Sequence, residues 1–363
     1  MTLIKGLIKT LIAGILYYSG FLMVYSAIRR KLFPHENLTI LLYHRVLDDA
    51  DEGKAYNQPG MCVTKSAFEK QMVYLSRKYN VLSIRQLADI VESGRPLPRK
   101  SVAVTFDDGW QDNYRNAFPA MKKYNIPATI FLATDMVETN KLPAFMEAAL
   151  LLAEIELWPH RAPRIFRHVV DKNRGSDKVS RLSGEQYARI GNDVAQFMLG
   201  LMKLDGALVA EIAGLMKKEA GIDINQWNNT RWMLNWDEIR EMECSGIHFG
   251  SHGVSHEILI HLDHDRVRQE LSESKKLIEQ KSGRAVEFFG YPNNDWNAEI
   301  KKLVAQAGYR GACAGHGCGE ASREIDLYAL QRANVNEGAF VGASGKFSRA
   351  LFAMKMSEWM RWW

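Results

Sequence analysis

The stretch VAVTFDDGWQDNY (residues 102–114) decides the fold and locates the chemistry. It begins with a short apolar run of the β type and places two adjacent carboxylates, Asp107 and Asp108, where that run ends. A solvated turn also accepts adjacent aspartates, because Asp is common in turns. The position at the mouth of a buried strand favours instead a pair in which each carboxylate has its own role in one site.

Strands and helices alternate on both sides of this stretch. Strand-like runs include LTILLYHRV, ATIFLAT, GIHFGSH, VEFFGYP, YRGACAG and LQRANV, and helical patterns separate them. The alternation predicts an α/β fold with a parallel sheet or barrel, and such folds gather their functional groups at the carboxyl ends of the strands. Between about residues 141 and 229 the pattern is helical without a clear strand, so we expect a helical insertion.

Composition and charge narrow the class of protein. The 363 residues suffice for one large α/β domain with additions. The net charge of +5 is spread without a block of like charges, so we expect no nucleic-acid partner. The 4 cysteines are too few and scattered for a disulfide framework or a zinc ribbon.

The N-terminal segment, residues 1–35, carries an uncharged apolar run. TLIAGILYYSGFLMVYSAI (residues 10–28) would form a helix about 28 Å long, close to the hydrocarbon thickness of a bilayer. Cations flank the run on both sides, so the positive-inside rule does not orient it. A membrane-associated segment is our prediction, and a buried core helix is the alternative.

The C-terminal tail, residues 346–363, reads KFSRALFAMKMSEWMRWW and combines cations with three tryptophans. This composition is typical of an amphipathic helix in the headgroup layer. If both ends contact one leaflet, the N-terminal segment is monotopic or re-entrant, and basic flanks favour an anionic cytoplasmic leaflet. We therefore expect membrane lipids as partners of both ends, at a bacterial inner membrane, with the cytoplasmic face slightly favoured over the periplasmic.

A second group of candidate residues follows the strand GIHFGSH. The segment GSHGVSHE sets His252 and His256 four residues apart. One helical turn or a tight loop then points both imidazoles the same way, and imidazole is the commonest side-chain donor for zinc-like ions. With one carboxylate of the acidic pair they would form a facial triad with open positions for water. The other carboxylate, on the opposite side of the backbone, would take the proton from the attacking water.

These residues resemble the polysaccharide deacetylase family, carbohydrate esterase family 4. Residues 105–109 match the motif T-F-D-D-G, and residues 251–256 match S/T-H-x-x-x-H. The resemblance spans about residues 38–335, apart from the helical insertion. It implies a distorted (β/α)7-type barrel within a deacetylase domain of residues 36–345.

The resemblance also implies an activity. The chain would remove acetyl groups from an N-acetylated sugar of a polysaccharide or a lipid-linked glycan, with a metal-bound water as nucleophile. Asp107 would be the general base. The metal would be divalent, most simply Zn²⁺, with Co²⁺, Ni²⁺ or Mn²⁺ as alternatives, and its ligands would be Asp108, His252 and His256.

The third family motif, R-x-P-F/Y, is only partly matched by FFGYPNND. Gly290 stands at the arginine position, and Arg332 in LQRANV is the substitute candidate, against the alternative of an ordinary surface arginine. The Asn293 N–H can still bind the oxyanion, because a backbone donor does not depend on the side chain. The predicted oxyanion and substrate-binding residues are Asn293, Pro292, Tyr291 and Trp110.

The last family motif, L-x-H, supplies the acid that protonates the leaving amine, and it has no match here. His44 and His316 are the remaining candidates, and His44 is favoured because it ends the first strand. The missing arginine and histidine motivate one alternative, a membrane-bound glycan-binding protein on a catalytically decayed scaffold. An O-acetyl esterase of glycans is another, because it needs the same metal, base and oxyanion donors.

Overall fold

The computed structural model describes residues 2–32, 38–48, 61–139, 142, 144–152, 160–192, 194–204, 206–221, 231–315, 325–336, 340–342 and 346–357. These residues divide into two compact units. The first comprises the described parts of Met1–Glu52, Gly60–Val137 and Leu234–Trp363, and the second those of Glu138–Met233.

Seven parallel strands close a barrel in the first unit. The barrel order is β1, β5, β6, β7, β8, β9, β10, and it closes because β1 pairs with both β5 and β10. A short β4 pairs with β5 outside this ring, and β2 and β3 form a separate parallel pair. The predicted (β/α)7 barrel is thus confirmed. The strands of the described residues are β1 (Leu38–Tyr43), β2 (Arg45–Leu47), β3 (Cys62–Thr64), β4 (Asn80–Val81), β5 (Ser101–Phe106), β6 (Ala128–Leu132), β7 (Ile247–Ser251), β8 (Phe288–Gly290), β9 (Gly311–Gly315) and β10 (Leu330–Asn334).

Helices connect the strands, and short polar side chains begin several of them. Ser83 and Asn235 each accept a hydrogen bond from the backbone three residues later, in capping boxes. The α-helices of the described residues are α1 (Thr2–Tyr18), α2 (Phe21–Leu32), α3 (Lys65–Lys78), α4 (Ile84–Glu92), α5 (Phe118–Lys123), α6 (Ala144–Leu151), α7 (Arg161–Lys172), α8 (Gly184–Arg189), α9 (Val194–Leu201), α10 (Gly206–Ala220), α11 (Trp236–Cys244), α12 (His264–Ser282), α13 (Ala298–Gln306) and α14 (Arg349–Met356).

The helix predicted after the acidic pair is divided. A π-helical turn, Asn113–Ala117, precedes α5, and the Phe118 N–H donates to the Asn113 carbonyl. Pro119 has no N–H for the carbonyl four residues earlier, which favours the wider turn. From this turn the Asn113 side chain donates to the His44 carbonyl at 2.8 Å.

The predicted helical insertion is confirmed. Helices α6 to α10 form the second unit around a core of their own, and no strand occurs in its described residues. The core includes the fully buried rings of Phe166 and Phe197, whose centroids lie 5.5 Å apart.

The two chain ends differ from each other. Among the described residues no single helix is long and apolar enough to cross a bilayer, whereas Gly6–Tyr18 and Phe21–Arg29 meet that criterion only as a pair bent by 75°. Helix α14 is a core helix rather than an amphipathic surface helix, because Leu351 and Phe352 are buried and pack with the barrel core. This corrects the tail prediction for residues 349–356. The tryptophans on which that prediction rested, Trp359, Trp362 and Trp363, lie outside the described residues.

We predict that Phe352→Ala lowers the free energy of unfolding by about 3–5 kcal/mol, because it removes a buried ring that packs on Tyr74, Phe340 and Phe347. Urea unfolding followed by tryptophan fluorescence measures the change. The matched control is Phe21→Ala on α2, a half-exposed ring for which we expect a loss below about 1 kcal/mol. Equal losses in the two variants would contradict a core role for α14.

Candidate active site and metal centre

The register of the barrel brings the predicted residues to one rim. Tyr43 pairs with Phe106, so His44 and Asp107 follow side by side at the ends of β1 and β5. The Asp107 N–H donates to the Tyr43 carbonyl at 3.1 Å. On the other side of β6, the His252 N–H donates to the Leu132 carbonyl at 2.8 Å. Three strand ends therefore present their polar side chains together.

Asp108, His252 and His256 form a compact group of possible metal ligands. One donor atom from each lies within 4.8 Å of the others, and all three side chains are buried. Oδ1 of Asp108 is 3.2 Å from Nε2 of His256 and 3.7 Å from Nε2 of His252. Within the described ranges this is the one group of three such residues that could hold a metal ion. The two predicted ligand motifs are thus brought together.

The hydrogen bonds around these residues fit a divalent metal. Nδ1 of His252 lies 2.6 Å from the Gly290 carbonyl, so it carries the proton and leaves the Nε2 lone pair for a ligand bond. The Trp110 indole N–H donates to Oδ2 of Asp108 at 2.8 Å, which leaves Oδ1 facing the imidazoles. Two imidazoles and one carboxylate with an open side are the donor set of catalytic zinc sites and suit related transition metals.

Asp108 and His252 have the protonation states that ligands need, whereas burial would lower the pKa of His256 but the hydrogen bond to Asp108 raises it above its usual value. Burial would raise the pKa of Asp108, but the hydrogen bond to His256 and the neighbouring histidines hold that pKa far below its usual value. Burial lowers the pKa of His252 to about 4, against the opposing charge of Asp107. His252 is therefore neutral and Asp108 ionised near pH 7, as metal binding requires.

A strained turn positions the acidic pair. Asp108 and Gly109 have φ values of 74° and 80°, in the left-handed region. A Cβ atom at Gly109 would lie 2.6 Å from Cδ2 of Leu132, so only glycine fits there. The left-handed turn after β5 sends consecutive side chains in different directions, which separates the candidate ligand Asp108 from Asp107.

Glu270 of α12 fixes the histidine loop, a role that no sequence motif indicated. Its buried carboxylate accepts hydrogen bonds from the N–H groups of Val254 and Ser255, at 2.6 and 3.0 Å, and from the Ser255 hydroxyl at 2.8 Å. The loop ends at His256, whose φ of 63° is unusual for histidine. Glu270 therefore holds the conformation that turns His256 towards Asp108.

Arg332 binds Asp107, in the role that the sequence predicted for it. Its guanidinium donates to Oδ1 at 2.6 Å and to Oδ2 at 2.8 Å, and it is 1% exposed. Nη2 also donates to Oδ1 of Asn294 at 2.8 Å. Burial would raise the pKa of Asp107, but the charge of Arg332 holds it below the usual value. Arg332 is therefore not a surface arginine, and Asp107 is an ionised carboxylate 3.9 Å from Nε2 of His252.

His44 lies beside this pair. Its Nδ1 is buried and makes no hydrogen bond with any part of the chain that the structure describes. Its carbonyl accepts from the Asn113 side chain at 2.8 Å. Asp112, which the sequence analysis did not single out, accepts from the Val46 N–H and from Arg45, and so fixes the segment that follows His44. The other candidate acid, His316, lies outside the described residues.

The four predicted oxyanion and substrate-binding residues differ in their position and in the contacts of their side chains. Asn293 has a φ of 56°, and its neighbour Asn294 binds Arg332, so this turn after β8 lies next to Asp107. Pro292 begins the turn. Tyr291 is a core residue whose hydroxyl donates to the Tyr328 carbonyl at 2.9 Å. Trp110 is buried and holds Asp108. The side chains of Tyr291 and Trp110 therefore support the barrel core and Asp108, and their predicted contact with the substrate stays a prediction.

The comparisons with known proteins agree with the family that the sequence motifs indicate. The sequence matches the family described as Polysaccharide deacetylase over residues 94–173 and 206–312. YxkH of Bacillus subtilis (strain 168), which carries the name of a polysaccharide deacetylase, is 22% identical over 315 residues, 86% of this chain and 77% of its own length. The Streptococcus pyogenes deacetylase PplD, solved in complex with acetate, superposes with a TM-score of 0.52 at 18% identity, covering 85% of this chain and 95% of PplD.

A further relative is matched over a short part only. The poly-beta-1,6-N-acetyl-D-glucosamine N-deacetylase of Escherichia coli (strain K12) is 34% identical over 104 residues, 28% of this chain. The matched part is 15% of the length of that protein.

We predict that Trp110→Phe weakens Zn²⁺ binding about 10–100-fold, because it removes the hydrogen bond that orients the Asp108 carboxylate while keeping an aromatic ring. Competition with a chromophoric chelator measures the affinity. Asp108→Ala should abolish stoichiometric binding. The control is Trp296→Phe, since the Trp296 indole N–H has no hydrogen-bond partner among the described residues. Unchanged affinity in Trp110→Phe would contradict the positioning role.

Proposed function

We propose, since the chain belongs to the polysaccharide deacetylase family, that it hydrolyses the N-acetyl groups of an N-acetylated polysaccharide with Asp107 as general base. The observation that carries this proposal is the arrangement of two neighbouring carboxylates with separate partners. Asp107 is bound by Arg332, and Asp108 faces two histidines. The name of the Escherichia coli relative supports a polymer of N-acetylglucosamine as the substrate class.

Asp108, His252 and His256 would hold the divalent cation. When bound there, the cation supplies Lewis-acid polarisation of the acetamide carbonyl and lowers the pKa of water. Zn²⁺ fits the donor set, and its identity is part of the proposal. The three side chains are fixed by Trp110, by the Gly290 carbonyl and by the loop bound to Glu270, so they meet the cation without rearrangement.

Asp107 accepts the proton of the attacking water on a carboxylate oxygen. Arg332 keeps the carboxylate ionised and fixes its plane through two parallel hydrogen bonds. The oxygen of the water forms the new bond to the acetyl carbon, and the N–H of Asn293 is the proposed donor to the carbonyl oxygen. The C–N bond then breaks, and acetate and the free amine leave.

The leaving amine needs a proton, and His44 is the proposed donor. It ends β1 next to Asp107, and the ring nitrogen Nδ1 is not engaged by the described residues. A histidine can supply a proton near neutral pH. His44 thus fills the role of the family motif that has no match in the sequence.

The alternative of a decayed, glycan-binding scaffold rested on a missing arginine and a missing histidine. Arg332 reaches Asp107 from a different strand, which supports turnover over binding alone. No observation favours an O-acetyl substrate. A lipid-linked glycan as the physiological substrate stays a prediction from the apolar chain ends.

We predict that Asp107→Asn lowers kcat for acetate release from N-acetylglucosamine oligomers about 10²–10⁴-fold, because the amide cannot accept the proton. Stoichiometric Zn²⁺ binding should persist, since Asp107 is not a predicted ligand. Acetate release and metal content are measured on the same preparation. The control Asp265→Asn changes an exposed aspartate of α12 and should leave both unchanged. Full activity in Asp107→Asn would refute the base assignment.

We predict that His44→Gln lowers activity on an amide substrate but not on an activated ester. Deacetylation of an N-acetyl sugar should fall about 10²-fold or more, because an amine leaves only after protonation. Hydrolysis of 4-nitrophenyl acetate should stay near wild type, because the nitrophenolate leaves without an acid. His264→Gln, which changes a half-exposed histidine paired with Glu299, is the control. Equal losses on both substrates would show that His44 supports the site rather than donating the proton.

A further inference from the structure

Helices α1 and α2 carry an uncovered apolar surface. Of the thirteen large hydrophobic side chains that are exposed among the described residues, eleven lie on these two helices. At the centre of this surface, each helix has one stripe of apolar side chains at helical spacing. We call this surface the N-terminal apolar face and define it by Leu11, Ile15 and Tyr18 of α1 and by Val24, Ile28 and Leu32 of α2, which are 53–81% exposed.

The opposite sides of both helices are fixed to the protein. Ala13 of α1 and Leu22 of α2 are buried in the main hydrophobic core, and α1 packs along α14. Both helices therefore pack against the barrel unit on one side. A helix that is apolar on all sides is stable in water only when every side is covered. One side is covered by the protein, and the other requires an apolar partner.

The charge of the segment identifies that partner. Residues 2–32 contain Lys9, Arg29 and Lys31 among their cations and no aspartate or glutamate. A second copy of the same segment would bring like charges together, whereas anionic lipid headgroups attract them. Tyrosines lie among the apolar residues, and their amphipathic rings suit the headgroup level. Charge complementarity therefore favours a lipid surface over a second copy.

The helix lengths indicate how deep the segment reaches. The uncharged part of α1 after Lys9 and that of α2 before Arg29 are each about 12–14 Å long, less than half of a bilayer core of about 30 Å. A bend of 75° separates them. Because α1 packs along α14 and Leu22 of α2 is buried in the main hydrophobic core, neither can cross as a single span.

We propose that the N-terminal apolar face inserts into one leaflet of an anionic membrane and makes the protein monotopic. The cations at the two ends of the helix pair meet headgroups of the same leaflet, and the barrel stays on the aqueous side. This interaction is independent of the deacetylation chemistry, because it uses no residue of the candidate site.

Flotation with vesicles of phosphatidylethanolamine and phosphatidylglycerol tests the insertion. The full chain should float with the vesicles, also in 1 M NaCl, and Leu11→Gln/Ile15→Gln/Val24→Gln should partition at least about tenfold less. The matched control, Leu199→Gln/Ile260→Gln, changes exposed apolar residues elsewhere and should float like wild type. Melting temperature and activity on a soluble oligosaccharide should be unchanged in the triple variant, which separates lost insertion from misfolding and from failure of the proposed function.

Site-directed labelling tests the monotopic arrangement. Cysteines are introduced singly by Thr10→Cys and Lys31→Cys after the native cysteines are replaced. A membrane-impermeant maleimide added outside sealed proteoliposomes should label both positions in the outward-facing fraction. Protection of one position only would show a span and overturn the proposal. So would failure of the wild type to float, or a dimer in sedimentation that the triple variant abolishes, since a second copy would then cover the face.

Discussion

The buried ion pair between Arg332 and Asp107 is the interaction on which the site depends. It joins β10 to β5 inside the barrel, between residues 225 positions apart in the sequence. Burying both charges costs free energy that only close, bidentate geometry offsets, and removal of one partner alone typically destabilises a protein by about 3–5 kcal/mol. Arg332 also binds Asn294, so the same guanidinium fixes the turn after β8. One side chain thus sets the position of the proposed base and of the turn that carries Asn293.

Two adjacent carboxylates are tolerable here because each has different hydrogen-bond and ion-pair partners. Asp107 faces the guanidinium, and Asp108 faces His256 and the Trp110 indole. The left-handed backbone at Asp108 and Gly109 keeps these two environments apart. A single aspartate could not be both an ionised base held by arginine and a ligand, and two aspartates with a right-handed turn between them would not diverge in this way.

The sequence predicted the barrel, the acidic pair, the histidines and Arg332, because strand ends and short motifs are local features. Glu270, Asp112 and Asn294 were missed, since their roles depend on which distant segments the barrel register brings together. Glu270 is one of many glutamates in a polar helix, and only its burial against the Val254 N–H distinguishes it. The prediction that residues 349–356 lie in the headgroup layer was wrong, because an amphipathic pattern does not show whether protein or lipid covers the apolar side. Helix α1, rather than lipid, packs on that segment.

Orientation, more than basicity, is what the barrel gives to Asp107. A carboxylate whose pKa is held below its usual value is a weak base, so its contribution comes from standing ionised and immobile at the right place. The need for a fixed orientation also explains why the proposed acid and base follow two paired strands. β1 and β5 pair through six consecutive residues, and His44 and Asp107 follow the last pair. The relative position of the proposed acid and base is therefore set by the backbone pairing of these two strands.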